Sequence, residues 1–222
     1  TANRLLALFS GMYNRAIEWG YPDENPTKGI KKQREKSRER FLQPDELPRF
    51  FEMLNSVKNE NFKNYILLSL FTGQRKNNVL SMKWEQIDLS LGIWFIPHTK
   101  NGESLNCALS DEAIKLLSDI KQNTTSEWVL PSETSSSGHY EEPKRAWRTL
   151  LKNAGIENLH LHDLRRTLGS YQAIGGSSLQ IIGQSLGHKS LQSTQIYARL
   201  IKAPVRQSTN MAVAKILEYA KR

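Results

Sequence analysis

Two short runs, residues 92–97 (GIWFIP) and 104–109 (SLNCAL), flank Lys100-Asn101-Gly102, and no other stretch limits the fold as much. Ile, Trp and Phe suit a pleated strand, and Asn-Gly tolerates the positive φ that a tight turn between twisted strands requires. The spacing therefore predicts an antiparallel hairpin. A lone hairpin is marginal in water, so it must find a neighbour. A third strand is expected at Trp128-Val129-Leu130, closed by Pro131.

Everything around the hairpin reads as helix. Leu5, Leu8, Met12 and Ile17 recur near helical spacing ahead of Gly20, a natural stop. Pro44, Asp45 and Glu46 open another helix, with proline in the first turn and acids at the positive end of the dipole. Further helices are expected over 62–72, ending at Gly73, and over 75–82, 110–120, 143–153, 162–174, 179–186 and 191–200. Residues 132–138 (SETSSSG) read as a loop. A polar link over 203–210 leads to a last amphipathic segment in which Met211, Ala214, Ile216, Leu217 and Tyr219 share a face. The predicted fold class is α+β: mostly α-helical, with a small three-stranded antiparallel sheet.

Charge narrows the choice of partner. The 31 Lys and Arg residues outnumber the 22 Asp and Glu residues, a formal net charge of +9. More than half of that excess lies in one stretch: Lys28, Lys31, Lys32, Arg34, Lys36, Arg38 and Arg40 face only Glu35 and Glu39, a local balance of +5. A solvated linker and a strap facing a polyanion are both consistent with it. The longest apolar run, residues 65–71, is far short of a membrane span. Residues 5–9 are too short for the apolar core of a signal peptide. The lone Cys107 excludes an intramolecular disulfide and suits a reducing compartment. Together these predict a cytoplasmic protein without a membrane partner.

The chemistry-bearing residues are mostly basic. Arg75 follows the Thr72-Gly73-Gln74 turn at the start of a helix, where backbone N–H groups favour anions. Lys100 sits at the hairpin tip, where a lysine is ordinarily just solvated. His162 and Arg165 lie three apart on one side of a helical turn. Leu186-Gly187-His188 precedes Tyr197 by nine residues from the histidine, and such a tyrosine is ordinarily a half-buried core aromatic. There is no glycine-rich phosphate loop and no cysteine pair. His160, His162 and His188 have few acids or thiols near them in sequence, and no dense acidic cluster is evident. Metal-dependent phosphodiester chemistry is therefore disfavoured.

Taken in order, Thr72-Gly73-Gln74-Arg75, Lys100, His162-Asp163-Leu164-Arg165, Leu186-Gly187-His188 and Tyr197 resemble the catalytic signature of the tyrosine recombinases, the phage integrase family. Each element alone is weak, but five in order over about residues 41–200 are specific. The resemblance implies a site of Arg75, Lys100, His162, Arg165, His188 and Tyr197. It also implies the end of a helical core-binding domain with a basic linker over 1–38, a catalytic domain over 39–203 and a tail helix over 204–222. The chain would then lack most of an N-terminal DNA-binding portion. One departure stands out: the family places an acid three positions after the first arginine, where this chain has Asn78.

By that resemblance, Tyr197 attacks a DNA phosphodiester and leaves a 3′-phosphotyrosine link and a free 5′-hydroxyl, with neither metal nor nucleotide cofactor. The implied partners are double-stranded DNA attachment sites, a homotetramer assembled on DNA through the C-terminal tail, and DNA-bending accessory proteins. The implied place is the nucleoid of a bacterium or phage-infected cell. Two rivals compete with a site-specific recombinase that integrates or excises a mobile element. One is a type IB topoisomerase-like relaxing enzyme; the other is a DNA-binding module that keeps the fold without the activity, for which Asn78 is the only support.

Overall fold

The computed structural model describes residues 2–21, 24–35, 38–97 and 102–219, with backbone alone over 202–207. Lys36 and Lys100 lie outside the described residues. The chain divides into two compact units, Thr1–Arg38 and Glu39–Arg222.

The first unit is one helix, α1 (Ala2–Glu18), and a returning segment. Gly20 takes φ 83°, which ends the helix without a Cβ penalty. Asn25 then braces the turn. Its Nδ2 donates to the Ser10 carbonyl at 3.1 Å and to Asn14 Oδ1 at 2.7 Å, while its Oδ1 accepts from Thr27 N–H at 2.9 Å. The basic stretch runs back beside α1, where Asn3 exchanges two hydrogen bonds with the Gln33 backbone. Lys28, Lys31, Lys32 and Arg34 are all exposed there.

The second unit is built from α2 (Leu47–Asn55), α3 (Glu60–Thr72), α4 (Lys76–Leu80), β1 (Ile87–Asp88), β2 (Ile93–Ile96) and β3 (Leu105–Ala108). It continues with α5 (Asp111–Gln122), α6 (Lys144–Ala154), α7 (Leu161–Ile174), α8 (Leu179–Leu186) and α9 (Lys202–Tyr219). Side-chain caps start α3, α5 and α8. Asn59 Oδ1 accepts from Phe62 N–H at 2.9 Å to cap α3, and Ser110 does the same for α5. The expected hairpin is present, with Trp94 opposite Cys107 and Ile96 opposite Leu105 on the buried face. The sheet order is β1-β2-β3, all antiparallel.

The third strand is not the one expected. Trp128 makes a single bridge to Lys83, after which Val129 N–H bonds to Met82 and Leu130 accepts from Tyr140. Backbone partners that change residue by residue hold Val129 and Leu130 in the core without extending a ladder. The strand role falls to Ile87 and Asp88. Two further expectations change at the C-terminal end. Residues 191–200 form two 3₁₀ turns, Leu191–Ser193 and Gln195–Leu200, because Thr194 bonds back to Leu191 and is then engaged through its side chain. The polar link over 203–210 is helical and merges into α9. Polar side chains cost a helix only a few tenths of a kcal/mol each, too little to stop one.

Arg40 belongs to the fold rather than to a free basic surface. Its Nη1 and Nη2 meet Glu46 Oε2 and Oε1 at 2.8 and 2.5 Å, and it also donates to the Phe41 carbonyl. Burial works against the Glu46 carboxylate, but the Arg40 fork, the Gln43 N–H and the charge of Arg49 outweigh it and hold its pKa below the usual range.

Two hydrophobic clusters result. The large one joins α2 to α6, the start of α7 and the sheet, with Phe50, Phe62, Tyr65, Trp94 and Leu164 fully enclosed. Each such side chain contributes about 1.5–3 kcal/mol. The small one joins α7, α8 and the second 3₁₀ turn through Ala173, Ile182, Leu186 and Tyr197. No helix among the described residues is long and apolar enough to cross a membrane.

Candidate active site

The site begins where α3 ends. Gly73 takes the left-handed conformation, φ 62°, and a Cβ there would come within 2.7 Å of Leu186 and 2.8 Å of Leu168. Only glycine lets the α3 terminus close against α7 and α8 in this way. The next residue, Gln74, is buried, and its Nε2 donates to the Ser185 carbonyl at 3.0 Å and to Cys107 Sγ at 3.4 Å. One amide thus ties α3, β3 and α8 together. Burial pushes the Cys107 thiol up to about 11, so it stays protonated and unreactive.

Arg165 is the centre of the arrangement. It is 4% exposed, and among the described residues its guanidinium has no carboxylate partner. Instead Nη1 donates to the Gly73 carbonyl at 2.8 Å, and Nη2 donates to the Leu186 carbonyl. Both carbonyls close a helix, where the dipole leaves partial negative charge. The cation is therefore held by two helix ends and keeps its full charge. Burial, then repulsion from Arg75, lowers its pKa to about 10, which leaves it protonated at neutral pH.

Arg75 caps α4 at its N-terminal end. Its Nη1 is buried without a hydrogen-bond partner among the described residues, and so is Nδ2 of Asn78 one turn later. Two donors without acceptors lie where the family signature has an acid.

His162 occupies the first turn of α7, which Asp163 fixes. The fully buried Asp163 accepts from His160 N–H at 2.8 Å and from Arg166 Nη1 at 2.5 Å. Desolvation, followed by the charges of Arg166, Arg165 and Arg75, lowers the His162 pKa, with Asp163 opposing. His188 follows Gly187, another left-handed glycine, at the end of α8. Its Nδ1 lies 2.9 Å from Thr194 Oγ1. Desolvation, and then Arg165, Arg75 and His162, push its pKa down to about 4, so it is neutral at physiological pH.

Tyr197 completes the group from the second 3₁₀ turn, 2% exposed. Its N–H bonds to the carbonyl of Thr194, the residue whose hydroxyl holds His188. Its ring rests on α7 at Gly169, one turn after Arg165; a Cβ there would sit 2.6 Å from Cζ and 2.8 Å from the phenolic oxygen. Burial raises the phenol's pKa, while Arg165 and Arg166 pull it back.

The structure thus brings Arg75, His162, Arg165 and His188 within electrostatic reach of one another, and Tyr197 within reach of Arg165. Lys28, Lys31, Lys32 and Arg34 lie in the other unit, and Arg40 is occupied by Glu46. Reading the sequence missed Gln74, Thr194, Arg166 and Gly169 as supporting residues. Of these, only Gly169 carried a signal, an isolated glycine inside a helical pattern.

Known proteins resemble this chain in both sequence and fold. The model of the phage integrase family matches residues 40–203. A shufflon-specific DNA recombinase of Escherichia coli is 32% identical over 203 residues, covering 88% of this chain and 50% of that protein. The integrase of Salmonella phage P22 is 30% identical over 196 residues, covering 82% and 49%. The chain spans about half the length of these relatives. A lambda integrase dimer bound to a COC′ core site shares the fold, with a TM-score of 0.67 at 21% identity over 86% of this chain and 57% of that one. With the family match covering most of its length, the chain belongs to the phage integrase family and contains a tyrosine recombinase catalytic domain.

Proposed function

We propose that this chain carries the DNA-breaking and rejoining activity of a site-specific recombinase that integrates or excises a mobile element, with Tyr197 as nucleophile. The observation that carries the reading is the position of the phenol one helical turn from a buried Arg165 that no carboxylate among the described residues neutralises.

A free phenol has a pKa of about 10, so few are ionised near neutrality. A phosphodiester held by Arg75 and Arg165 places two guanidiniums against the charge that grows on its non-bridging oxygens. The same charges favour the phenolate as its proton leaves. The Tyr197 oxygen then bonds to phosphorus while the bond to the 5′-oxygen breaks, giving a 3′-phosphotyrosyl link. Lys100, matched by sequence, is assigned to protonate the departing 5′-oxygen, a role an ammonium fills better than a guanidinium. Neutral His188, with Thr194 on Nδ1, keeps Nε2–H free to donate to the phosphate. His162 serves as a second donor or proton carrier. One ester replaces another, so rejoining needs no external energy source.

In this reading residues 1–38 are the end of a core-binding domain and its linker, 39–203 the catalytic domain and 204–222 a tail. Lys28, Lys31, Lys32, Arg34, Lys36 and Arg38 make phosphate contacts as the linker follows duplex DNA. The exposed Met211, Ile216, Leu217 and Tyr219 of α9 dock on a neighbouring copy, building a tetramer on attachment-site DNA with DNA-bending accessory proteins. Such a protein works on DNA in the cytoplasm, at the nucleoid.

The test is a nicked duplex bearing one attachment half-site, which traps the covalent intermediate. The expected result is an adduct on Tyr197 by mass spectrometry, abolished by Tyr197→Phe and persistent in EDTA. No adduct would leave the DNA-binding module as the answer. Exchange between two sites by the full-length parent protein separates a recombinase from a relaxing topoisomerase. Removal of residues 204–222 is expected to abolish DNA-dependent assembly.

A further inference from the structure

Beside the site lies a cationic rim that the catalytic signature does not include. Lys144 opens α6 and Arg148 follows one turn later, so both project on one flank. With Lys76, the first residue of α4, they border a cavity of about 510 Å³ whose wall also includes His162 and Arg165. Trp147, between the two α6 cations, is buried and anchors the helix through Nε1 to the Leu159 carbonyl at 3.2 Å. Lys144 and Arg148 are therefore presented from a fixed element.

What separates these cations from an ordinary solvated face is their shared place around one cavity with His162 and Arg165. Arg40, Lys83, Arg166, Lys189 and Arg199 each pair with a carboxylate, but among the described residues Lys76, Lys144 and Arg148 do not. The first turn of α6 also carries Lys144 and Arg145 and no acid, against the helix dipole, an arrangement that an arriving anion would relieve. Size supplies the rest. A sphere of that volume is about 10 Å across, and a DNA strand gains one phosphate per roughly 3.4 Å of rise. A strand whose reacting phosphate rests on Arg165 thus brings a neighbouring phosphate to the rim.

We propose that Lys76, Lys144 and Arg148 form a second phosphate-binding station that grips the strand beside the linkage held by Arg165 and His162. It rests on the DNA-cleavage reading above. Its part is binding and register: loss of the station should raise KM for cleavage more than it lowers kcat.

Equilibrium binding of the full chain to a duplex of arbitrary sequence, measured between 50 and 200 mM salt, tests it apart from cleavage. Each lost phosphate contact lowers the slope of log K against log salt by about 0.9. The triple variant Lys76→Ala, Lys144→Ala, Arg148→Ala should lose about 2.7 units of slope, so the wild type should weaken roughly 40-fold more than the variant across that range. A control triple variant, Lys58→Ala, Lys63→Ala, Lys115→Ala, removes the same charge away from the cavity and should keep the wild-type slope. The double variant Lys144→Ala, Arg148→Ala alters exposed side chains only and should lose about 1.8 units, which guards against a folding defect from Lys76. An unchanged slope in the cavity variants, or an equal loss in the control, overturns the station while leaving the catalytic reading intact. A wild type with a flat salt plot would instead undo the DNA reading itself.

Discussion

The ring of Tyr197 lies against Gly169, so close that a single added methyl group would fall 2.6 Å from Cζ. A candidate nucleophile is thereby stored as part of a small hydrophobic core, and its seat on α7 exists only because one residue has no side chain.

Gly169→Ala should displace the tyrosine. Alanine is favoured over glycine in a helix interior by about 1 kcal/mol, but overpacking at this distance costs 1–3 kcal/mol, and backbone on one side leaves the ring alone to move. A net loss of up to about 2 kcal/mol is expected, or up to about 8 °C in thermal midpoint. Tyrosine fluorescence quenching by acrylamide should increase at the same time. An unchanged midpoint and unchanged quenching would show that the ring is not held there.

Thr194→Val keeps the shape of the 3₁₀ turn but removes the hydroxyl on His188 Nδ1. Loss of one hydrogen bond at a neutral imidazole, about 1–1.5 kcal/mol, should slow covalent adduct formation about tenfold. Binding of duplex DNA should change little, since the salt slope counts phosphates rather than this bond.

Acid should weaken the fold in two stages. His188 titrates near 6.5 when unfolded and near 4 when folded, so between those values the unfolded state holds the extra proton and stability falls as pH drops. Partial solvent screening reduces the ideal effect to about 1–3 kcal/mol. Glu46, with its folded pKa held below 4.5, keeps its contribution above that value and loses it further down. Urea midpoints from pH 7 to pH 3 should show both, and His188→Gln should shrink the upper stage, to which the lowered pKa of His162 also contributes, while leaving the lower one in place.

Asn78→Asp should supply the missing acceptor. Arg75 Nη1 and Asn78 Nδ2 are buried donors without partners, each a burden of about 1–3 kcal/mol. A carboxylate there removes one donor and pairs the other. The thermal midpoint should rise by a few degrees and adduct formation should quicken several-fold. A slower reaction with a higher midpoint would mean that the uncompensated charge of Arg75 serves the chemistry directly.

How much was legible in the sequence follows from the range of each cause. The β2–β3 hairpin was readable because Asn-Gly and alternating burial act over a few residues. So were the ends of α3 and α8, because Gly73 and Gly187 each mark a left-handed stop. The Ile87–Asp88 strand was not, since a two-residue element has no pattern of its own and is defined by its partner. The 3₁₀ turns over 191–200 were missed because their cause is Thr194 bonding back to Leu191 and reaching His188, and α9 because polar residues hardly resist a helix. Arg40 looked like any charge in a basic run; only the folded chain places Glu46 beneath it. The site's order could be read, but its geometry depends on helix ends that meet from distant parts of the chain.

The two carbonyls that hold Arg165 have a further consequence. They come from residues 113 positions apart, Gly73 and Leu186, so the guanidinium finds its place only after both helices have docked. On the proposed reading, a half-folded nascent polypeptide has no assembled blade, and the capacity to break DNA would arise only once synthesis and packing are complete.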